Sequence, residues 1–203
     1  MKKALLVAFA LLMAPMAAMA AQYEEGVHYT VINEGPGTAK PEIAEFFSFY
    51  CPHCYTFAKE QVPKIKATLP EGVTFKQNHV EFIGRQMGVE MSRAFAIAHQ
   101  LKIEEQMEHA LFSAIQDKKQ NFTNLDDIKA LFVVNGVDPK AFDAAAKSFM
   151  VNAQMSKMKR DTENAQIAGV PALVVNGKYR VDTGSIKIYQ ELLDIAYYLA
   201  TQK

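Results

Sequence analysis

Ile43-Ala44-Glu45-Phe46-Phe47-Ser48-Phe49-Tyr50-Cys51-Pro52-His53-Cys54 places two periodicities back to back. Residues 43–49 are mostly apolar and aromatic, follow Pro41-Glu42 and stop at Cys51-Pro52, the pattern of a buried strand. From Cys51 the spacing turns helical: Cys51, Cys54, Tyr55, Ala58, Val62, Ile65 and Leu69 form one stripe. Pro63 lies inside that stripe and predicts a kink. Leu69-Pro70-Glu71-Gly72 reads as a turn and Val73 to Phe82 as the next strand. Strand, helix, strand is the unit of a parallel α/β sheet.

The pattern continues in both directions. His28 to Asn33 reads as a short strand, with a Gly/Pro loop through Pro41 behind it. After Phe82, helical spacing runs for about 80 residues. Ile103, Met107, Leu111, Phe112 and Ile115 make one stripe, and Leu125, Ile128, Leu131 and Phe132 another that Gly136 stops. Asp138-Pro139 supplies an N-cap and a first-turn proline for a long helical stretch to about Ile167. Pro171 to Val175, Asn176-Gly177 and Lys178 to Asp182 read as a hairpin around a type I′ turn. Ser185 then caps an amphipathic helix through Leu199. The expected organisation is an α/β domain, residues 21–83 and 161–203, interrupted by a helical domain over 84–160.

The 203 residues are 50 % hydrophobic and 22 % charged, which excludes a disordered chain, a collagen-like repeat and a disulfide-dense miniprotein. A formal net charge of zero leaves no footprint for nucleic acid or an anionic membrane surface. Lys2-Lys3, the apolar run Ala4 to Met13 and the small residues Ala18-Met19-Ala20 read as a secretory leader cut after Ala20. The apolar core of that leader is about ten residues, against the roughly 20 needed to span a bilayer. Losing Lys2 and Lys3 leaves 20 basic against 22 acidic residues, a net charge of −2. Export delivers the chain to a compartment where disulfides persist.

Cys51 and Cys54 are the only cysteines. A helix sets residues i and i+3 on one face, within disulfide reach. Cys51 falls at the helix N-terminus, where unpaired N–H groups and the macrodipole favour an anion such as the reactive thiolate. Pro52 costs nothing there, since the first helical N–H has no partner. His53 adds a donor or a positive charge beside the Cys51 thiolate, and the more buried Cys54 is the resolving thiol. Three duller readings compete. A four-residue staple removes only roughly 2 kcal/mol of unfolded-state entropy. A zinc site lacks further paired ligands among His28, His53, His79, His99 and His109. A c-type haem needs histidine where Tyr55 stands. Redox chemistry is the preferred reading. Stabilising the reduced thiolate makes the disulfide the stronger oxidant.

Several segments taken together resemble the DsbA family of periplasmic thiol:disulfide oxidoreductases: Ala21-Gln22-Tyr23, Glu45-Phe46-Phe47-Ser48-Phe49, Cys51-Pro52-His53-Cys54, Pro70-Glu71-Gly72-Val73, His79-Val80 and Gly169-Val170-Pro171. The resemblance implies a thioredoxin-like fold with an inserted all-helical domain and no cofactor beyond the Cys51–Cys54 disulfide. It implies donation of that disulfide to reduced, unfolded exported polypeptides, and reoxidation by a DsbB-type quinone-linked membrane oxidase. By position, Cys51 attacks, Cys54 resolves and His53 stabilises the thiolate. Val170-Pro171 becomes a cis-proline loop that binds substrate backbone, and Glu45 a carboxyl beneath the disulfide that passes protons to Cys54.

The lysine usual opposite that glutamate is Gln77 here, with Lys76 one residue away and so directed to the other face. A buried carboxyl without that lysine should have a raised pKa. Met87 and Met91, and Phe49 and Phe82, are candidates for a peptide groove, with core packing as the default. His79, His99 and His109 are expected to be structural or surface residues. A disulfide isomerase or reductase, or a peptide-binding holdase without turnover, are the alternative functions, and a monomer is the expected state.

Overall fold

The computed structural model describes residues 22–184, 186 and 188–202. The proposed leader, its cleavage site and Ser185 lie outside the described residues. The chain runs through β1 (Tyr29–Val31), β2 (Glu42–Phe47), α1 (Pro52–Glu60), α2 (Val62–Thr68) and β3 (Thr74–His79). Helices α3 (Gln86–Leu101), α4 (Glu104–Phe112), α5 (Leu125–Val134), α6 (Pro139–Ala146) and α7 (Phe149–Asn164) follow. The chain then returns to the sheet through β4 (Ala172–Val175) and β5 (Tyr179–Val181) and ends on α8 (Tyr189–Gln202).

The sheet order is β1-β5-β4-β2-β3. β2 and β3 are parallel, as the strand–helix–strand reading requires, with Glu45 opposite Gln77. β4 runs antiparallel to both β2 and β5. Asn176 and Gly177 both have positive φ, which the type I′ hairpin turn demands and which this dipeptide tolerates. This is a thioredoxin-like fold carrying a helical domain.

Helix α1 lies between two apolar clusters. Cys54, Tyr55 and Ala58 pack into the cluster of Phe47, Phe49, Met91, Phe95 and Phe112 on the helical side. Phe57, absent from the sequence stripe, joins Val62 and Ile65 against α8 on the other. The active-site helix is therefore gripped from both sides, which fixes its N-terminus relative to the sheet.

Three expectations are corrected. The kink expected at Pro63 is a break between two helices: α1 ends at Glu60, Gln61 caps it, and α2 starts with Pro63 in its first turn, where a missing N–H costs nothing. The strand from Val73 stops at His79, not Phe82. Only Val80 continues the ladder, donating to the Phe47 carbonyl at 2.8 Å. The chain then turns back so tightly that a Cβ on Gly88 would lie 2.3 Å from the carbonyl oxygens of Glu81 and Ile83. The long helix after Pro139 breaks at Lys147. Ser148 caps α7 by accepting from the Val151 N–H at 3.1 Å, and its hydroxyl donates to Gln100 at 2.6 Å.

Candidate active site

The loop from β2 to α1 carries Cys51, and three side chains fix it. His79 Nε2 accepts the Phe49 N–H at 3.2 Å, and His79 Nδ1 lies 2.8 Å from Ser92 Oγ. Accepting on Nε2 leaves the proton of the neutral ring on Nδ1, to donate to Ser92. Full burial favours the same neutral ring, lowering the His79 pKa from 6.5 to about 3. Gln116 donates to the Phe49 carbonyl at 2.7 Å, and the Tyr50 N–H donates to Ser48 Oγ at 3.2 Å. Gln116 sits in a π-helical turn, Ser113–Asp117, that continues α4. Such turns are frequent at functional sites.

Cys51 is the N-cap of α1, with Pro52 in the first turn and the Cys54 N–H donating to Cys51 Sγ at 3.3 Å. Both cysteines are free thiols, so this is the reduced state. The Cys51 pKa is lowered from 9.0 to about 6. The largest cause is the hydrogen bond from the Cys54 thiol. Burial opposes it, and the backbone N–H groups of Cys54 and His53 assist, with the charge of His53 contributing after them. The same thiol–thiol bond, together with burial, drives the fully buried Cys54 in the opposite direction, well above an ordinary thiol. One proton is thus held on Cys54 and anionic charge on Cys51. The backbone N–H groups of the helix terminus and His53 contribute to this shift, but Cys54 outweighs them.

Val170-Pro171 is a cis peptide, and the Val170 carbonyl lies 3.4 Å from Cys51 Sγ, accepting when Cys51 is a thiol. Beside it a cleft of about 710 Å³ is lined by His53, Gly169, Val170, Pro171, Arg180 and Tyr189. His53, which lines it, and the neighbouring Pro52 are exposed. Glu45 on β2 is fully buried, near enough to both cysteines for their charges to interact. Lys76 points away and pairs with Glu42 at 2.7 Å, as the one-residue register shift requires. Gln77 instead donates to Glu45 Oε2 at 3.0 Å. Burial pushes the Glu45 carboxyl well above its ordinary 4.5. The neighbouring Glu108 charge adds to that rise, while the Gln77 hydrogen bond and Lys66 oppose it.

The structure therefore gathers Cys51, Pro52, His53, Cys54, Val170 and Pro171 at one end of the sheet, with Glu45 under them. Of the groove candidates, Phe49 and Met91 are buried core residues, whereas Phe82 is exposed, because the strand ends before it. Sequence reasoning missed Glu108, which also accepts from Gln77, at 2.8 Å. Its signal was present. Glu108 stands at i−3, i−4 and i−7 from Leu111, Phe112 and Ile115, a charged residue on an apolar helical stripe. Among the described residues no cluster of His, Cys, Asp or Glu is arranged to hold a metal ion.

A Cys-x-x-Cys turn entering a helix from a thioredoxin-type sheet, with one thiol acidified and the other buried, defines a thiol:disulfide oxidoreductase. Residues 42–194 match the family model of the DSBA-like thioredoxin domain. The chain is 39 % identical over 192 residues to the thiol:disulfide interchange protein DsbA of Yersinia pestis, covering 91 % of each. It is 37 % identical to that of Escherichia coli K12 over 211 residues, covering 99 % of this chain and all of the relative. Proteus mirabilis DsbA, solved as a cysteine-to-serine variant with a non-covalently bound peptide, superimposes with a TM-score of 0.80. The identity there is 35 %, over 89 % of this chain and 99 % of that one. The chain belongs to the DsbA family, and its chemistry is thiol:disulfide exchange through a redox-active cysteine pair.

Proposed function

We propose that this chain, exported to the periplasm and cut after Ala20, donates the Cys51–Cys54 disulfide to reduced polypeptides held in the cleft beside Val170-Pro171. A substrate thiolate attacks Cys51 Sγ, the less buried sulfur. The Cys51–Cys54 bond breaks, a substrate–Cys51 bond forms, and Cys54 leaves as a thiolate. A leaving thiol of high pKa departs slowly, so Cys54 needs a proton as it leaves. Glu45 is the buried carboxyl whose charge acts on Cys54, and it supplies that proton. A second substrate thiolate then attacks the substrate sulfur of the mixed disulfide and releases Cys51, which leaves readily because its thiolate is stabilised. The substrate has lost two electrons to the enzyme. A DsbB-type quinone-linked oxidase in the membrane takes those two electrons and restores the disulfide.

His53 lies at the mouth of the site as a thiolate stabiliser, and Pro52 starts the helix without leaving an unpaired N–H. Val170, whose carbonyl lies against Cys51 Sγ, is the residue we assign to the backbone of an extended substrate, in the manner of strand addition. That the Proteus mirabilis protein was solved with a non-covalently bound peptide supports peptide binding by this chain. The observation that carries the proposal is the opposed acidity of the two thiols. The test is Cys51→Ala, assayed for oxidation of a reduced unfolded protein and for suppression of its aggregation. Oxidation is expected to vanish. Full oxidation by the variant would overturn the proposal, and aggregation suppression unchanged in a chain that never transfers a disulfide would make it a holdase.

A further inference from the structure

The carboxyl under the cysteines has a second carboxyl beside it, from the helical domain. Gln77 Nε2 donates to Glu45 Oε2 at 3.0 Å and to Glu108 Oε1 at 2.8 Å. An amide nitrogen has two hydrogens, and both are engaged. The remaining Glu45 oxygen, Oε1, is buried and has no hydrogen-bond partner among the described residues. A charged carboxylate with such an atom unsatisfied is costly in the interior, and the neutral acid costs less.

We propose that Glu108 is a positioning residue for disulfide exchange: with Gln77 it forms a carboxyl pair with Glu45 that holds one proton, and holds it on Glu45 under Cys54. Two carboxyls meeting at one neutral amide cannot both ionise freely. The charged groups facing them come from every side. Lys66 of α2 acts on both, Glu105 of α4 acts on Glu108, and in the reduced protein the Cys51 thiolate acts on Glu45. One lysine therefore stands against several acidic groups. Glu108 lines a cleft of about 300 Å³ with Lys59, Lys66, Glu105 and His109, whereas Glu45 is sealed from solvent. Both carboxyls are buried, but Glu108 reaches that cleft and keeps the charge, while Glu45, fully enclosed, keeps the proton. When Cys54 leaves as a thiolate, the Glu45 acid gives it that proton and becomes a carboxylate, which takes the proton back from the Cys54 thiol when the disulfide is re-formed.

This inference rests on Glu45 as the proton donor, and the test separates the two. The mature oxidised protein is mixed with dithiothreitol from pH 4 to 8, and the rate is divided by the thiolate concentration of the reagent. The wild-type rate is expected to fall with rising pH as Glu45 loses its proton. In Glu108→Gln, which preserves the hydrogen bond to Gln77, that fall moves to lower pH, so the rate at pH 7 drops relative to pH 4. Gln77→Lys, which puts a cation between the carboxyls, moves it the same way, and Glu108→Asp restores the wild-type profile. Glu45→Gln flattens the profile, and adding Glu108→Gln to it changes nothing further. A Glu108→Gln profile that superimposes on wild type, beside a flattened Glu45→Gln profile, overturns the role of Glu108 alone, whatever its melting temperature. A Glu45→Gln profile like wild type overturns the Glu45 reading and this inference with it. Carbon-13 NMR of the glutamate carboxyls gives an independent readout: the Glu45 titration must move to lower pH in both Glu108→Gln and Gln77→Lys.

Discussion

The mouth and the floor of the site treat charge in opposite ways. At the mouth, Cys51 caps α1 and meets the Cys54 thiol, backbone N–H groups and His53, so an anion is stabilised. On the floor, Cys54, Glu45 and Glu108 are buried and Gln77 lies half-buried between the two carboxyls. Burial there pushes Cys54, Glu45 and Glu108 toward their neutral forms. The contrast shows how two cysteines three residues apart become chemically unequal. The acid one is a good leaving group toward substrate. The buried one releases a substrate only through internal attack, or accepts a proton when it departs.

The largest break in this comparison is at the mouth. Cys51→Ser should reduce disulfide transfer to background in an insulin or peptide oxidation assay, because Cys54 is the only other cysteine in the chain. Next in size, Cys54→Ala incubated with a disulfide-bonded peptide should accumulate a mixed disulfide, visible by mass spectrometry. Cys51 attacks the peptide disulfide, one peptide thiolate leaves, and no Cys54 remains to resolve the product. The substitution should also raise the Cys51 pKa from about 6 toward 9.0, followed by thiolate absorbance at 240 nm. His53→Ala should raise it by less, since its contribution ranks behind that of Cys54.

A smaller effect is thermodynamic. The folded-state pKa of Cys51 is depressed, so its contribution to the reduced protein is fully present above pH 9.0 and is lost as pH falls through about 6. The stability difference between reduced wild type and Cys51→Ala should therefore shrink from pH 9 to pH 5, amounting to on the order of 1 kcal/mol at pH 7 after solvent screening. Smallest, Gln116→Ala removes one hydrogen bond to the Phe49 carbonyl and should cost about 1 kcal/mol in urea unfolding.

Much of this contrast was legible in the sequence, but unevenly. The strand-to-helix switch at Cys51, the Asn176-Gly177 hairpin and the Asp138 cap are local signals, and each formed as read. The strand end at His79 depends on Gly88 accepting the backbone of Glu81 and Ile83, a contact that strand propensity does not register. Exposed Phe82 follows from that same turn. At the site, Cys51, His53 and Cys54 were readable from spacing and helix-terminus physics, whereas Val170-Pro171 and Glu45 came through the family resemblance. The absence of a lysine opposite Glu45 was visible, yet Glu108 joins through Gln77 from 31 residues along the chain. Only the charged residue on the α4 stripe hinted at it. The role of Cys54 as the leading stabiliser of Cys51 was also hidden, because spacing gives proximity but not which thiol keeps the proton.

The most direct test is the equilibrium of the Cys51–Cys54 pair with a glutathione buffer, followed by the fraction reduced. A stabilised Cys51 thiolate should make the pair strongly oxidising, mostly reduced even at low reduced glutathione. A pair as reducing as thioredoxin, about −270 mV, would contradict the claim that the mouth of the site stabilises the reduced form and makes this chain a disulfide donor.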